Sequence, residues 1–368
     1  MRGDFPVESP RAPLAGVKVI EFAQMIAAPS AGLLLRDYGA EVVKVEPPGG
    51  DGCRKLQSPA SRKIGVTPIF DAYNRGKTLI TLDLASDEGR SRAIELIADA
   101  DVLIEASRPG AMDRLGLGAE RLRGLFPRLI YASLSGFGNG AVGHSRGGVD
   151  IIVQAESGMM ALTGQAGGAP TKIGFTVIDA ACGHVLCHGI LASLLNRERT
   201  GQGDHVQLSL FDVALHLQTG PLAEYLATGV QPERTGNGSA LAAPADLYRC
   251  GAGEIVLSAY LEPHWKVLAE LLGLAHLIED SRFATAASRA ANREVLRTLI
   301  EGSLSTRDAR SWAALFREHR LLVGEVKTYS EVLEDPVTIE AGIVVNEDGV
   351  GGVFNPVRFR TREVAPCG

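Results

Sequence analysis

The chain is poor in cysteine. Its 368 residues hold five, Cys53, Cys182, Cys187, Cys250 and Cys367, an odd and scattered set. That pattern argues against a disulfide framework and fits a reduced, cytoplasmic setting. An excess of one charge is also missing: 37 Lys and Arg against 43 Asp and Glu leave a net charge of −6. Such a balance gives no general pull toward nucleic acid or an anionic membrane. No stretch approaches the roughly 18 uninterrupted apolar residues that signal a membrane-spanning helix. The opening MRGDFPVESPRAPLAG lacks the apolar core of a secretory signal. Repeats and low-complexity tracts are absent.

Several catalytic signatures are missing as well. There is no GxxxxGK[ST] phosphate loop, no GxSxG elbow and no His-Glu-x-x-His pair. Gly138-x-Gly140-x-x-Gly143 matches a dinucleotide fingerprint in form, but HSRGG follows it where a helix should start. The fingerprint belongs in the first strand–helix turn, which here reads AQMIAAPSAG, so no nicotinamide cofactor is expected. Cys182, His184, Cys187 and His188 cluster, yet they lack the paired short spacings of a structural zinc site. No metal is expected.

What is present is an ordinary globular composition, 45% hydrophobic and 22% charged, in a chain long enough for two domains. After a leader at 1–13, strand and helix patterns alternate. Strands are expected at Val17–Phe22, Glu41–Glu46, Leu79–Leu84, Asp101–Glu105, Leu129–Leu134 and Val206–Leu210. Helices are expected at Pro29–Tyr38, after Leu84, near Glu120 and from Ala180 to Leu195. That alternation predicts an α/β fold with a doubly wound parallel sheet over residues 14–215. The pattern changes near residue 220, and a smaller α+β domain with its linkers is expected over 216–325. The stretch 326–368 is expected to return to the large domain.

Asp179 stands where the strand-like Val177-Ile178 turns into the small-residue run Ala180, Ala181, Cys182, Gly183. One reading is a helix N-cap, a position aspartate favours. The other is a nucleophilic carboxylate at a site where small side chains leave room for substrate. Basic side chains at Arg75, Lys77, Arg108 and Arg114 fall near strand ends or loops, where ligands of such sheets bind. They suit phosphate groups, though each alone is as well explained as a solvated surface charge. The glycines of SGFGNGAVG read as a loop that admits a ligand or permits motion, or as plain surface.

Five segments in order carry a resemblance: PLAGVKVIEFAQMIAAPSAGLLLRDYGAEVVKVEPPGGD, NRGKTLITLDL, ADVLIEASRPGAMDRLGLG, PRLIYASLSGFG, and the Asp179 segment ending RTGQGDHVQLSLFD. Together they resemble the class III CoA-transferase family, which includes formyl-CoA transferase, carnitine CoA-transferase and α-methylacyl-CoA racemase. The resemblance implies a Rossmann-like large domain, a small domain, and a homodimer of interlocked rings. It also implies coenzyme A thioesters as substrates, with a small carboxylic acid as the other partner. Asp179 matches the family's nucleophile. Arg114 in MDRLG matches a position that contacts the CoA nucleotide, and Ser135 and Gly136 match residues beside the CoA arm. Arg75 and Lys77 lie in a segment similar to the family's NRNK stretch, and phosphate contact is expected there.

Departures narrow the reading. Ser107 stands where the family carries an aromatic residue in ENFRPG that could flank adenine, so looser adenine packing is expected. Ile26 replaces the glutamine of formyl-CoA transferase. Val149, in Gly148-Val149-Asp150, replaces the histidine base of the racemase. The expected activity is CoA transfer from an acyl-CoA donor to an acid through an aspartyl-CoA thioester. The alternatives are racemisation of a 2-methylacyl-CoA, which lacks its second base here, and CoA binding without catalysis.

Overall fold

The computed structural model describes residues 12–239, 242–347 and 350–359, and the side chains of 345–347 and 350 are outside that description. All but the last two residues of the expected leader, and Cys367, therefore lie outside the described residues. The chain divides into two units, one of Met1–Met160, Lys172–Gln231 and Ile339–Gly368, the other of Ala161–Thr171 and Pro232–Thr338.

The first unit opens with β1 (Lys18–Phe22), α1 (Ala27–Asp37), β2 (Glu41–Glu46), α2 (Pro59–Lys63), α3 (Pro68–Asn74) and β3 (Thr78–Thr81). It continues with α4 (Asp87–Ala98), β4 (Val102–Glu105), α5 (Ala111–Arg114), α6 (Ala119–Leu125) and β5 (Ile130–Ser135). Then come α7 (Asp150–Glu156), α8 (Met159–Leu162), whose last two residues fall in the second unit, the long α9 (Val177–Thr200), β6 (His205–Ser209), α10 (Leu210–Leu217) and α11 (Thr219–Thr228). The six strands form one sheet in the order β3-β2-β1-β4-β5-β6, every neighbouring pair parallel. This is the doubly wound order, with its switch point between β1 and β4. The β4 run Val102–Glu105 is buried throughout, as a strand covered by helices on both faces must be.

Helices α1 and α9 pack against each other in the core on one side of the sheet, with Ala27, Ala28, Ala31, Leu34, Cys182, Leu186 and Ile190 in a single cluster. The small residues after Asp179 serve this contact. A Cβ on Gly183 would overlap the Ser30 side chain and come within 3.2 Å of the Ala27 carbonyl oxygen. Gly183→Ala is accordingly expected to cost about 1–3 kcal/mol by overpacking. A lowered thermal midpoint checks this, with partial recovery when Ser30→Gly is added.

The second unit holds β7 (Ala245–Arg249), β8 (Glu254–Ser258), α12 (Glu262–Leu271), α13 (Ala286–Ala291), α14 (Arg293–Leu304), α15 (Ala309–Glu318), β9 (Leu322–Glu325) and α16 (Tyr329–Glu334). Its antiparallel sheet, β7-β8-β9, packs on Trp265, Phe283, Trp312 and Phe316. The expected cut at 215/216 falls inside α10, and the chain passes to this unit after Gln231. Ala161–Thr171 also joins it, because the Arg234 guanidinium donates to the carbonyls of Ala161 (3.1 Å) and Gly168 (2.7 Å). Helix α17 (Pro336–Ala341) carries the chain back, and β10 (Val344–Glu347) and β11 (Val350–Val353) make an antiparallel hairpin within the first unit. The return thus begins at residue 339 rather than 326.

Candidate active site

Asp179 is not the cap of its helix. The N-cap of α9 is Thr176, whose side chain makes no capping bond, and Asp179 is the third helical residue. The free N–H groups of that first turn are taken by a carboxylate from elsewhere: Asp150 Oδ2 accepts from Ile178 N at 2.8 Å and Asp179 N at 3.2 Å. Those two donors are therefore not free to hold an oxyanion. The Asp179 carboxyl, half-buried, is pushed up to about 7 by desolvation, with the negative Asp150 adding to the effect. The Tyr73 hydroxyl in α3 is pushed up by burial and, after that, by the Asp179 charge. A carboxylate of raised basicity is a stronger nucleophile and a better base near neutral pH.

At the carboxyl ends of β1 and β2 lies a buried ionic network. Glu21 and Lys44 are register partners across the two strands, and both side chains are fully enclosed. Lys44 Nζ donates to Glu21 Oε1 (3.0 Å) and Ala23 O (2.6 Å) and sits 2.9 Å from Asp51 Oδ2. Lys77 Nζ donates to Glu21 Oε2 (2.8 Å), Pro29 O (2.8 Å) and Asn74 Oδ1 (3.1 Å). Burial would depress Lys44, but Glu21 and Asp51 outweigh it and hold the ammonium charged; for Lys77 burial wins and lowers it to about 8. The other Asp51 oxygen accepts from Met25 N (3.0 Å) and Cys53 N (2.8 Å), pinning Met25 at φ +70. A left-handed non-glycine residue is costly and persists only where its surroundings over-determine it. The loop from β1 into α1 is thereby held rigid.

A cavity of about 280 Å³ opens at the carboxyl ends of β4 and β5. Ser107, Arg108, Gly110, Ser135, His144 and His205 are among its lining residues. Glu105, also in the wall, accepts from Ser107 N at 2.8 Å and is pushed up to about 7, burial outweighing that bond. Arg114 is exposed beside it, with its guanidinium 3.3 Å from where a Gly110 side chain would start. Ser135 Oγ accepts from Gly138 N at 3.0 Å. Gly136 has a packing reason: a Cβ there would lie 2.6 Å from Gly148 N, so the loop after β5 meets the entry to α7 backbone against backbone. Gly136 thus has a packing role, while residues 139–142 of the same loop are exposed.

The sequence-based candidates therefore separate. Arg108, Arg114, Ser135 and Gly136 gather at or beside the cavity. Arg75 and Lys77 lie apart from it, in buried ion pairs with Asp37 and Glu21. The Arg75 guanidinium is enclosed, with Nη2 on Asp37 at 2.7 Å and the Phe354 ring 5.1 Å away. Lys77 has all three donors committed, as above. Both basic groups are drawn inward because Glu21 and Asp37 are buried beside them and require counter-charge. His184 and His188 lie on the exposed face of α9 while Cys182 and Cys187 are buried, so these four side chains do not converge. Among the described residues no three His, Cys, Asp or Glu side chains form a metal-holding group.

The sequence profile of CoA-transferase family III matches residues 14–365. The chain belongs to that family. A "Probable fatty acyl-CoA transferase" of Mycobacterium tuberculosis is 37% identical over 96% of this chain and 93% of its own length. An acetyl-CoA:oxalate CoA-transferase of Acetobacter aceti is 35% identical, covering 95% and 90%. A crystal structure of a CaiB/BaiF family protein from Brucella suis superimposes with a TM-score of 0.86 at 35% identity, covering 95% of this chain and 93% of that one. The six-stranded parallel sheet is thus the sheet of a family III CoA-transferase, and acyl-CoA is the substrate class of such enzymes. Asp150 is the residue that sequence reasoning passes over: in Gly148-Val149-Asp150 attention falls on Val149, yet the structural role belongs to its neighbour.

Proposed function

We propose that this family III CoA-transferase moves coenzyme A from an acyl-CoA donor to a small carboxylic acid, with Asp179 as the covalent carrier. The observation that carries the reading is the Asp179 carboxyl itself, half-buried at the start of α9 and raised to about 7. Ionised Asp179 attacks the thioester carbonyl, forming a mixed anhydride and expelling CoA thiolate. The thiolate attacks the aspartyl carbonyl, releasing the donor acid and leaving an aspartyl-CoA thioester. The acceptor carboxylate attacks that thioester, giving a second anhydride and free thiolate, and the thiolate takes the acceptor acyl group and restores Asp179. Each step exchanges one acyl bond for another, so a difficult exchange becomes a series of easier ones.

Arg108, Arg114 and Ser135 are the residues proposed to receive the nucleotide and arm of CoA, supported by the cavity at the ends of β4 and β5. Lys77 and Arg75, paired with Glu21 and Asp37, are left out of the proposed set. An interlocked homodimer is part of the proposal. It is supported by α11, which buries none of its residues and leaves Leu222, Tyr225 and Leu226 exposed along one side. A reduced, cytoplasmic location accords with the free Cys53, Cys182, Cys187 and Cys250. Racemisation is not favoured: Val149 is exposed and has no proton to exchange.

The test is mass spectrometry of the enzyme incubated with succinyl-, acetyl- or branched acyl-CoA and no acceptor. A CoA adduct on the peptide bearing Asp179, discharged when an acceptor acid is added, is the expected result. Rapid exchange with no adduct on that peptide under acid quench rules out the aspartyl carrier. A deuterium wash-in at the α-carbon of a 2-methylacyl-CoA, in place of transfer, would establish the racemase.

A further inference from the structure

The start of α9 is held from outside the helix. Thr176 is a residue competent to cap it and does not. The cap is instead Asp150, only 7% exposed, at the first position of α7. Gly136 and Gly148 set this up: a Cβ on either would overlap the other's backbone, so only glycine lets the chain enter α7 this close to the loop after β5. Asp150 Oδ2 then reaches the N–H groups of Ile178 and Asp179, while Oδ1 accepts from Gln154 Nε2 at 2.5 Å. Gln154 is itself fully buried, and its Oε1 accepts from Ile173 N at 2.9 Å. One carboxylate and one amide thus fix both the approach to the helix and the backbone of Asp179.

A hydroxyl or neutral amide would satisfy two N–H groups at a much smaller desolvation cost than a buried carboxylate. The arrangement keeps a charge where capping alone needs none. We propose that Asp150 is a positioning residue for the transfer reaction, anchoring the Asp179 backbone from α7 and holding a fixed negative charge against its carboxyl. The proposal rests on Asp179 being the nucleophile.

The groups around Asp179 identify the source of that charge. Tyr73 faces it from α3 and Cys182 from the next turn of α9, and both are pushed up, so both are neutral near pH 7. Asp212 of α10 bears on Cys182, and Asp150 of α7 bears on Asp179 directly. The neighbour Asp150 therefore favours the protonated form of Asp179 and makes the ionised form more basic.

The experiment compares wild type with Asp150→Asn and Asp150→Ser, both able to accept from the two N–H groups, and with Asp179→Ala. The readout is kcat/KM for acyl-CoA against pH from 5 to 9, with KM and thermal midpoint alongside. Removing the charge is expected to move the acid limb about one pH unit lower. A drop of about tenfold in kcat at pH 8, with KM for acyl-CoA within about threefold, is expected to accompany it as the nucleophile becomes less basic. If both variants fold and leave the acid limb and kcat where wild type has them, Asp150 is a structural cap only and the proposal falls. If one variant does not fold, the acid limb of the other decides. Activity retained by Asp179→Ala would instead overturn the nucleophile reading, a result the Asp150 variants do not mimic.

Discussion

Asp179→Asn is expected to lose CoA transfer by about 10⁴-fold or more, the scale seen when a covalent nucleophile is removed, and at the same time to make the protein harder to melt at pH 8. The two effects have one cause. In the fold the carboxyl is pushed up to about 7, first by desolvation and then by Asp150, from an ordinary value of 3.8. In the unfolded chain it ionises at the ordinary value, so between that pH and about 7 the native state binds the extra proton. Unfolding stability then falls as pH rises through this window, and above it the full penalty of ionising a half-buried carboxyl beside Asp150 is present. Asparagine fills the same space without a charge to desolvate. Each pH unit across the window is worth about 1.4 kcal/mol before solvent screening of a half-buried group reduces it. The gain at pH 8 is then on the order of 3 kcal/mol, shrinking toward zero as the pH falls to about 4. Thermal midpoints of the two proteins at pH 5 and pH 8, at one scan rate, check it. Midpoints that differ equally at both pH values would show that the carboxyl is not strained by its surroundings. Activity lost together with stability gained is the signature of a site kept at a cost to the fold.

The parallel sheet was legible because its signal is periodic and local. EVVKVE and DVLIE read as strands between helical stretches, and β2 (Glu41–Glu46) and β4 (Val102–Glu105) follow within a residue. What sequence could not resolve is where long side chains point. Lys77 and Arg75 look like phosphate ligands in a loop, yet buried acids two strands or one helix away turn them inward. The signal existed: Gly32 in α1 has no room for a Cβ because Glu21 and Lys77 meet beneath it. That pairing spans 56 residues, beyond any local pattern. Asp179 as cap failed for the same reason. Its own position predicted a local bond, whereas the donors were already satisfied by Asp150, about a helix and a loop upstream. The expected cut at 216 falls inside α10, and Ala161–Thr171 offers no apolar pattern to mark its change of unit.

The ionic network under α1 gives the largest expected loss of stability. Among the described residues, Lys44 is the group that joins Glu21, Asp51 and the Ala23 carbonyl. Lys44→Met keeps most of the volume and removes the charge, leaving Glu21 with Lys77 alone and Asp51 Oδ2 without a cation. Breaking a buried pair by taking one partner costs about 3–5 kcal/mol, since the remaining charge stays out of water. The double change Lys44→Met with Glu21→Gln removes one stranded charge and should recover part of the loss, a coupling a double-mutant cycle measures directly. The consequence extends to function through Asp51. With its second oxygen released, the Asp51 grip on Met25 N loosens, and with it one restraint that holds Met25 at φ +70. The loop from β1 to α1 then relaxes, so the surviving folded enzyme should show a raised KM for acyl-CoA. If Lys44→Met unfolds at the wild-type midpoint and keeps its KM, the network neither supports the fold nor shapes the loop. If it is destabilised with KM unchanged, the network supports the sheet and the strained Met25 is held by its packing instead.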